Sequence, residues 1–141
     1  MKNALDMITD VRGLLNVSSI TSQINGGIWP GDRPAGSDKI DLVVNAITIT
    51  NSQIQTGSGN VNIYAPLLIQ TINGKQSKLP DYVKLSSLVK LVQDAIDERY
   101  EKTFRVEVDE GSGKIYEDTD GSYFANVKFY YQSYNKNYKN I

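Results

Sequence analysis

The stretch Tyr123-Phe124-Ala125-Asn126-Val127-Lys128-Phe129-Tyr130-Tyr131-Gln132 carries two interleaved sets of side chains. Tyr123, Ala125, Val127, Phe129 and Tyr131 form one set. Phe124, Asn126, Lys128, Tyr130 and Gln132 form the other. Side chains along a strand point alternately to its two faces, so this is a long strand with one apolar side. Upstream, Phe104-Arg105-Val106-Glu107-Val108 alternates as strictly. Between the two lie a Gly111-Ser112-Gly113 turn, a short strand over residues 114–117 and the hairpin signal Asp120-Gly121. Strands joined by turns this tight build an antiparallel sheet.

Towards the N-terminus the same reasoning adds more strands. Ile40, Leu42, Val43, Val44, Ile47, Thr48 and Ile49 make residues 39–50 a β-branched, partly alternating strand. Val61, Ile63 and Ala65 give residues 61–71 an apolar face, with Pro66 marking an edge, a bulge or a break. A short strand is expected around Ile28 and Trp29, followed by a loop rich in Gly and Pro. Residues 51–60, polar and ending Gly57-Ser58-Gly59-Asn60, read as a mobile loop or an extended hairpin tip. Residues 73–78 read as another polar turn.

Two segments follow helical spacing instead. Ala4, Ile8, Val11 and Leu15 make an amphipathic helix that stops near Asn16. From Pro80 to Tyr100, Leu85, Leu88, Val89, Val92 and Ile96 form a stripe, with Leu91 at its edge. Lys90, Asp94, Asp97, Glu98 and Glu101 cover the opposite side. The expected fold is therefore α+β: an antiparallel or mixed sheet with two amphipathic helices packed on one face. One domain spans residues 1–134, and residues 135–141 form a polar tail.

Composition narrows the function classes. The chain has 141 residues, 40% hydrophobic and 22% charged, which suits one globular core. Its net charge of −1 gives no global pull towards nucleic acid or an anionic membrane. There is no cysteine, hence no disulfide, thiolate ligand or cysteine nucleophile, and no histidine, the commonest general base and zinc ligand. No metal, cofactor or catalytic residue is expected. Asp6 and Asp10 interrupt the N-terminal apolar residues, which is not a secretory-signal pattern, and no apolar run is long enough to span a bilayer.

The remaining motifs have plain structural readings. Glu117-Asp118-Thr119-Asp120-Gly121 contains Asp-x-Asp-Gly, but a calcium loop of the EF-hand type would need Asp at Tyr116 and Glu at Val127. An Asp-Gly turn explains it. Gly57-Ser58-Gly59 and Gly111-Ser112-Gly113 lack the Lys-Ser/Thr ending of a phosphate loop. Gly31-Asp32-Arg33-Pro34 reads as a packing or docking loop. The C-terminal tyrosines lack the basic groove of a nucleic-acid stacking platform. No carboxylate pair stands at a glycosidase-like spacing in an apolar frame, so an enzyme is the least favoured class.

Taken in order, several segments resemble the phage tail completion proteins, the tail terminator and neck family of long-tailed phages. They are the N-terminal helix, Ile28-Trp29-Pro30-Gly31-Asp32-Arg33-Pro34, the strand from Asp41 to Thr50 and the helix ending Val92-Gln93-Asp94-Ala95-Ile96. The closing hairpin Tyr116-Glu117-Asp118-Thr119-Asp120-Gly121 before Val127-Lys128-Phe129-Tyr130-Tyr131 completes the series. The resemblance runs from about Ala4 to Tyr134. The segment from Ile69 to Leu79 looks longer than the family's, and the C-terminal Asn/Lys tail looks additional.

The resemblance implies a non-enzymatic subunit of a ring, commonly of six copies. The ring sits on the last ring of the tail tube, stops its growth and presents a surface to the head connector. Expected partners are other copies of the chain, the tail tube protein and the connector proteins, with DNA only passing through the lumen. The expected location is the virion tail or neck, assembled in a bacterial cytoplasm. A small carbohydrate- or peptide-binding module is the alternative. Trp29, Gln53, Gln55, Ser58, Leu91 and Tyr130 are the expected subunit contacts. Residues 53–60 are expected to be too flexible for the core and to order only against a neighbour.

Overall fold

The computed structural model describes residues 1–134; the expected polar tail lies outside them. Its elements in order are α1 (Ala4–Leu15), α2 (Ser18–Thr21), β1 (Ile28–Pro30), β2 (Asp41–Ile49), β3 (Ile54–Tyr64), β4 (Leu68–Ile72) and β5 (Lys75–Leu79). There follow α3 (Tyr82–Ile96), β6 (Arg99–Tyr100), β7 (Phe104–Val108), β8 (Lys114–Glu117) and β9 (Tyr123–Tyr134). The fold is α+β. A mixed sheet runs β1-β2-β3-β9-β7-β6, with β8 also paired to β9. Among the described residues only the β1–β2 pairing is parallel.

The period-2 pattern of β9 sets the layers. Ala125, Val127, Phe129 and Tyr131 point into the core with Val61 and Ile63 of β3 and Leu42 and Val44 of β2. Over that face lie α1, through Met7, Ile8, Val11 and Leu15, and α3, through Leu85, Leu88, Val92, Ala95 and Ile96. Burying each large apolar side chain contributes roughly 1.5–3 kcal/mol, so the α3 stripe holds the helix in place far more than its propensity does. Both helices start on side-chain caps. Asn3 and Asp6 bond each other's backbone N–H at 2.9 Å, a capping box, and Asp81 accepts from the Lys84 N–H at 3.1 Å. No helix among the described residues is long and apolar enough to cross a membrane.

The structure departs from the sequence reading in three stretches. Residues 54–60 are not a loop: they are the first half of β3, paired with both β2 and β9. Their glycines fit a strand because there is no room for a side chain. A Cβ on Gly57 would lie 2.6 Å from the Thr48 carbonyl oxygen, and one on Gly59 would overlap the Asn45 carbonyl and the Phe129 ring. Shortening residues 53–60 would therefore break the sheet, not trim a flexible tip. Pro66 does break the next strand: β3 ends at Tyr64 and β4 begins at Leu68.

Residues 73–78 are not one turn. Asn73 and Gly74 alone turn the chain, at φ 53° and 77°, and β5 follows at once as the partner of β4. Finally, α3 stops at Ile96 instead of Tyr100. The Asp97 carboxylate accepts the Val108 N–H at 2.8 Å and Glu98 turns to φ 51°, which redirects the chain into β6.

The expected hairpin between β8 and β9 forms, but over the five-residue loop 118–122. Gly121 has φ +84° and Asp120 has no positive φ. Gly121→Val is expected to cost about 1 kcal/mol or more, because a β-branched residue is strained there. Urea unfolding would measure it, and wild-type stability would contradict the strain.

Candidate functional site

The outer face of the sheet, opposite the helices, carries the exposed features. Most of it is neutral and polar: Thr56, Ser58, Asn60 and Asn62 of β3 alternate with the core residues and pair with Gln132, Tyr130, Lys128 and Asn126 of β9. Asn126 donates its side-chain amide to Asn62 at 2.8 Å.

At one end this face is covered by loop 31–39, and the cover is tied to a buried carboxylate. Asp41, the first residue of β2, is 1% exposed. Its Oδ1 accepts from the Gly27 N–H at 2.9 Å and the Trp29 indole N–H at 2.8 Å. Its Oδ2 accepts from the Ser37 hydroxyl at 2.6 Å and pairs with the Arg33 guanidinium at 3.3 Å. Arg33 also donates to the Ser37 and Lys39 carbonyls and lies 4.5 Å above the Tyr64 ring. The Tyr64 hydroxyl donates to Asp118 at 3.0 Å, which links the β8–β9 loop to the same cluster.

Burial acts to raise the Asp41 pKa. The bonds from Ser37, Trp29 and Gly27, with the Arg33 charge, outweigh it and leave the carboxyl below its ordinary 3.8. Burial, then the Asp118 contact, pushes the Tyr64 hydroxyl up. A carboxylate has about four lone-pair sites, and at Asp41 four donors fill them. The group is built to hold a loop, with no site left to take a proton from a substrate.

The residues expected to meet a partner are dispersed. Gln53 is exposed, at the bend between β2 and β3. Ser58 and Tyr130 are cross-strand neighbours on the outer face, Ser58 half-buried and Tyr130 exposed. The Tyr130 ring borders a shallow cleft of about 230 Å3 with Arg105, Glu107 and Gln132, smaller than the roughly 300–1,000 Å3 usual for small-molecule pockets. Leu91 is half-buried on α3, on the other side of the sheet, and packs against the core. Trp29 is half-buried with its N–H committed to Asp41, so its polar end serves the subunit itself.

Gln55 needs correction. It is 1% exposed and points into the subunit. It accepts from the Lys2 N–H at 2.7 Å and the Ser133 hydroxyl at 3.1 Å, and donates to the Lys2 and Thr50 carbonyls. It anchors the N-terminal segment and reaches no surface. Nearby, Lys2 pairs with Asp10 at 2.6 Å, and Asp10 accepts the buried Tyr131 hydroxyl at 2.5 Å. Burial, then Asp10, pushes that hydroxyl's pKa up.

The sequence reading placed a strand over residues 61–71 and a turn from Asn73, but it missed β5 and so the β4–β5 hairpin. Among the described residues the hairpin is a sheet of its own, hydrogen-bonded to no other strand, and all ten of its strand residues but Ser77 are exposed. Ile69 and Ile72 are 62% and 52% exposed, and Leu68 and Leu79 are also exposed. The signal that marks it is Asn73-Gly74, a pair suited to a two-residue turn.

No family model and no curated protein matches this sequence.

Proposed function

We propose that this chain is a structural subunit of a phage or prophage particle. It assembles as a ring at the end of the tail tube, terminates the tail and joins it to the head connector. The observation that carries this reading is the β4–β5 arm. An isolated two-stranded hairpin is marginal in water, and this one exposes four large aliphatic side chains. Such an arm is sensible on a subunit that docks and is a liability on one that stays alone.

Two further features support the reading. The outer sheet face mixes amides and hydroxyls with Lys128, Arg105 and Glu107, a surface of both charges and not a continuous basic groove, which suits one past which DNA slides without being gripped. The closing hairpin before the long aromatic strand, the segment whose sequence most resembles the tail completion proteins, supports the same reading.

Deleting this chain from the phage or prophage that encodes it tests the proposal. Electron microscopy of the lysate should show overlong tails and filled heads that remain unjoined, and supplying the chain in trans should restore particles. Normal tails on heads after the deletion would refute the tail role.

A further inference from the structure

We infer that Asn73, at the tip of the β4–β5 arm, is a site of spontaneous modification. It deamidates by attack of its own backbone, whereas Asn25, in the same Ile-Asn-Gly tripeptide, keeps its amide while the fold holds. The tripeptide occurs at residues 24–26 and again at 72–74. Local sequence therefore gives both asparagines the same intrinsic lability, and the fold decides between them.

The reaction needs a free nucleophile and a free electrophile. The backbone nitrogen of the following residue gives up its proton and attacks the asparagine Cγ. An N–Cγ bond forms, the Cγ–Nδ2 bond breaks, and ammonia leaves with that proton. Water then opens the succinimide at either carbonyl. One opening gives aspartate, and the other gives isoaspartate, with the main chain rerouted through Cβ. A following glycine hinders the attack least, because it has no Cβ.

The Asn73 site leaves both groups free. Asn73 and Gly74 are exposed, and nothing lies within 4 Å of a Cβ built on Gly74. Among the described residues the Gly74 N–H donates to no acceptor. Lys75 follows, and its ammonium favours the anionic nitrogen. The arm pairs with no other strand among the described residues, so opening its tip needs little free energy.

At Asn25 each reacting group is held. Its Oδ1 accepts the Ile40 N–H at 2.8 Å, and the Gly26 N–H donates to the Ile40 carbonyl at 3.0 Å. The buried Asp41 carboxylate stands against Gly26, where it would overlap a Cβ, and opposes a negative charge on the Gly26 nitrogen. Asp120-Gly121, which can close the same ring with loss of water, is held in a similar way. The Gly121 N–H donates to the Asp118 carbonyl, and the Asp120 Oδ1 accepts from Ser122.

Modification changes the arm in either of two ways. Aspartate puts a carboxylate on a segment, residues 68–79, whose charged groups are Lys75 and Lys78. Isoaspartate lengthens the main chain inside a two-residue turn and so disturbs the Ile72–Lys75 pairing. The consequence for docking rests on the assembly reading. The reaction itself does not, so the two fail independently.

The test incubates the purified full chain in mildly alkaline buffer, with and without urea. Trypsin cuts after Arg12, Lys39 and Lys75, which puts the two asparagines on different peptides. Fragment masses locate each exchange of amide for carboxyl, and isoaspartyl methyltransferase labels the isoaspartate. In the folded protein Asn73 is expected to react roughly tenfold or more faster than Asn25, because local opening ranges from nearly free at mobile tips to as costly as global unfolding. In urea Asn25 should speed up to match it. Lowering the pH should slow the Asn73 reaction, since the attacking nitrogen must lose a proton. Asn73→Gly, which suits the same turn, should remove the label from the 40–75 peptide. An Asn73 amide that survives in the folded protein, equal rates at the two sites there, or a gap that persists in urea would each overturn the inference. So would an Asn73 rate indifferent to pH, or a label of wild-type strength on that peptide of Asn73→Gly.

Discussion

Replacing Asp41 by alanine is expected to destabilise the fold by about 3–5 kcal/mol, the usual result of removing one partner from a buried ion pair. The change strands the Arg33 guanidinium and leaves the Gly27 N–H, the Trp29 indole and the Ser37 hydroxyl without their acceptor. Loop 31–39 should come away from the outer face, and Trp29 fluorescence should shift as the indole loses its bond. Urea unfolding followed at Trp29, the chain's single tryptophan, measures both.

The acid response follows from the same site. The folded carboxyl lies below its ordinary 3.8. A depressed pKa means that folding favours the ionised form, so the contribution is present above the unfolded value. It is lost as pH falls through the folded value. Asp41→Asn removes this dependence, so the stability gap between wild type and Asp41→Asn should narrow from pH 6 to pH 3. A gap that stays constant would show that Asp41 is not the group whose charge holds the loop.

The second large effect is expected at Gly59. A Cβ there would overlap the Asn45 carbonyl oxygen, which belongs to the paired strand, and would sit 2.6 Å from the Phe129 ring edge. A flexible side chain could move aside, but a strand carbonyl cannot without breaking the β2–β3 ladder. Gly59→Val is expected to cost about 3 kcal/mol or more, at or above the top of the usual range for over-packing. In a mobile loop the same change would be nearly neutral. Equilibrium unfolding therefore separates a strand at this position from a loop, and a loss under about 0.5 kcal/mol would favour the loop.

Periodicity made most of this fold legible, and the failures have physical causes. β7, β9, α1 and α3 each bury one face against one core, so their apolar residues repeat at the period of the backbone. The first half of β3 escapes that rule. Its inward positions are Gln55, Gly57 and Gly59, where a hydrogen-bonded amide and two close contacts replace apolar side chains. Composition makes such a segment look like a loop. The β4–β5 arm escapes for the opposite reason, since it buries neither face and so shows no alternation.

The site residues divide along the same line. Tyr130 stood out because the alternation of β9 put a large ring on the uncovered face. Trp29 stood out as the single tryptophan beside a Gly/Pro loop. Its partner Asp41 did not, because a single carboxylate at a strand start looks like any solvated acid until the chain folds Ser37, Gly27 and Arg33 around it. Gln55 was taken for a surface polar residue because nothing in the sequence shows that Lys2, 53 positions earlier, brings its backbone to meet it.

The central claim is that this chain works as a repeated subunit. Native mass spectrometry of the purified wild-type protein over a concentration series tests it most directly. One closed species at a fixed multiple of 15.7 kDa, unchanged as the concentration rises, is the expected result. A species that remains at 15.7 kDa at every concentration would contradict it.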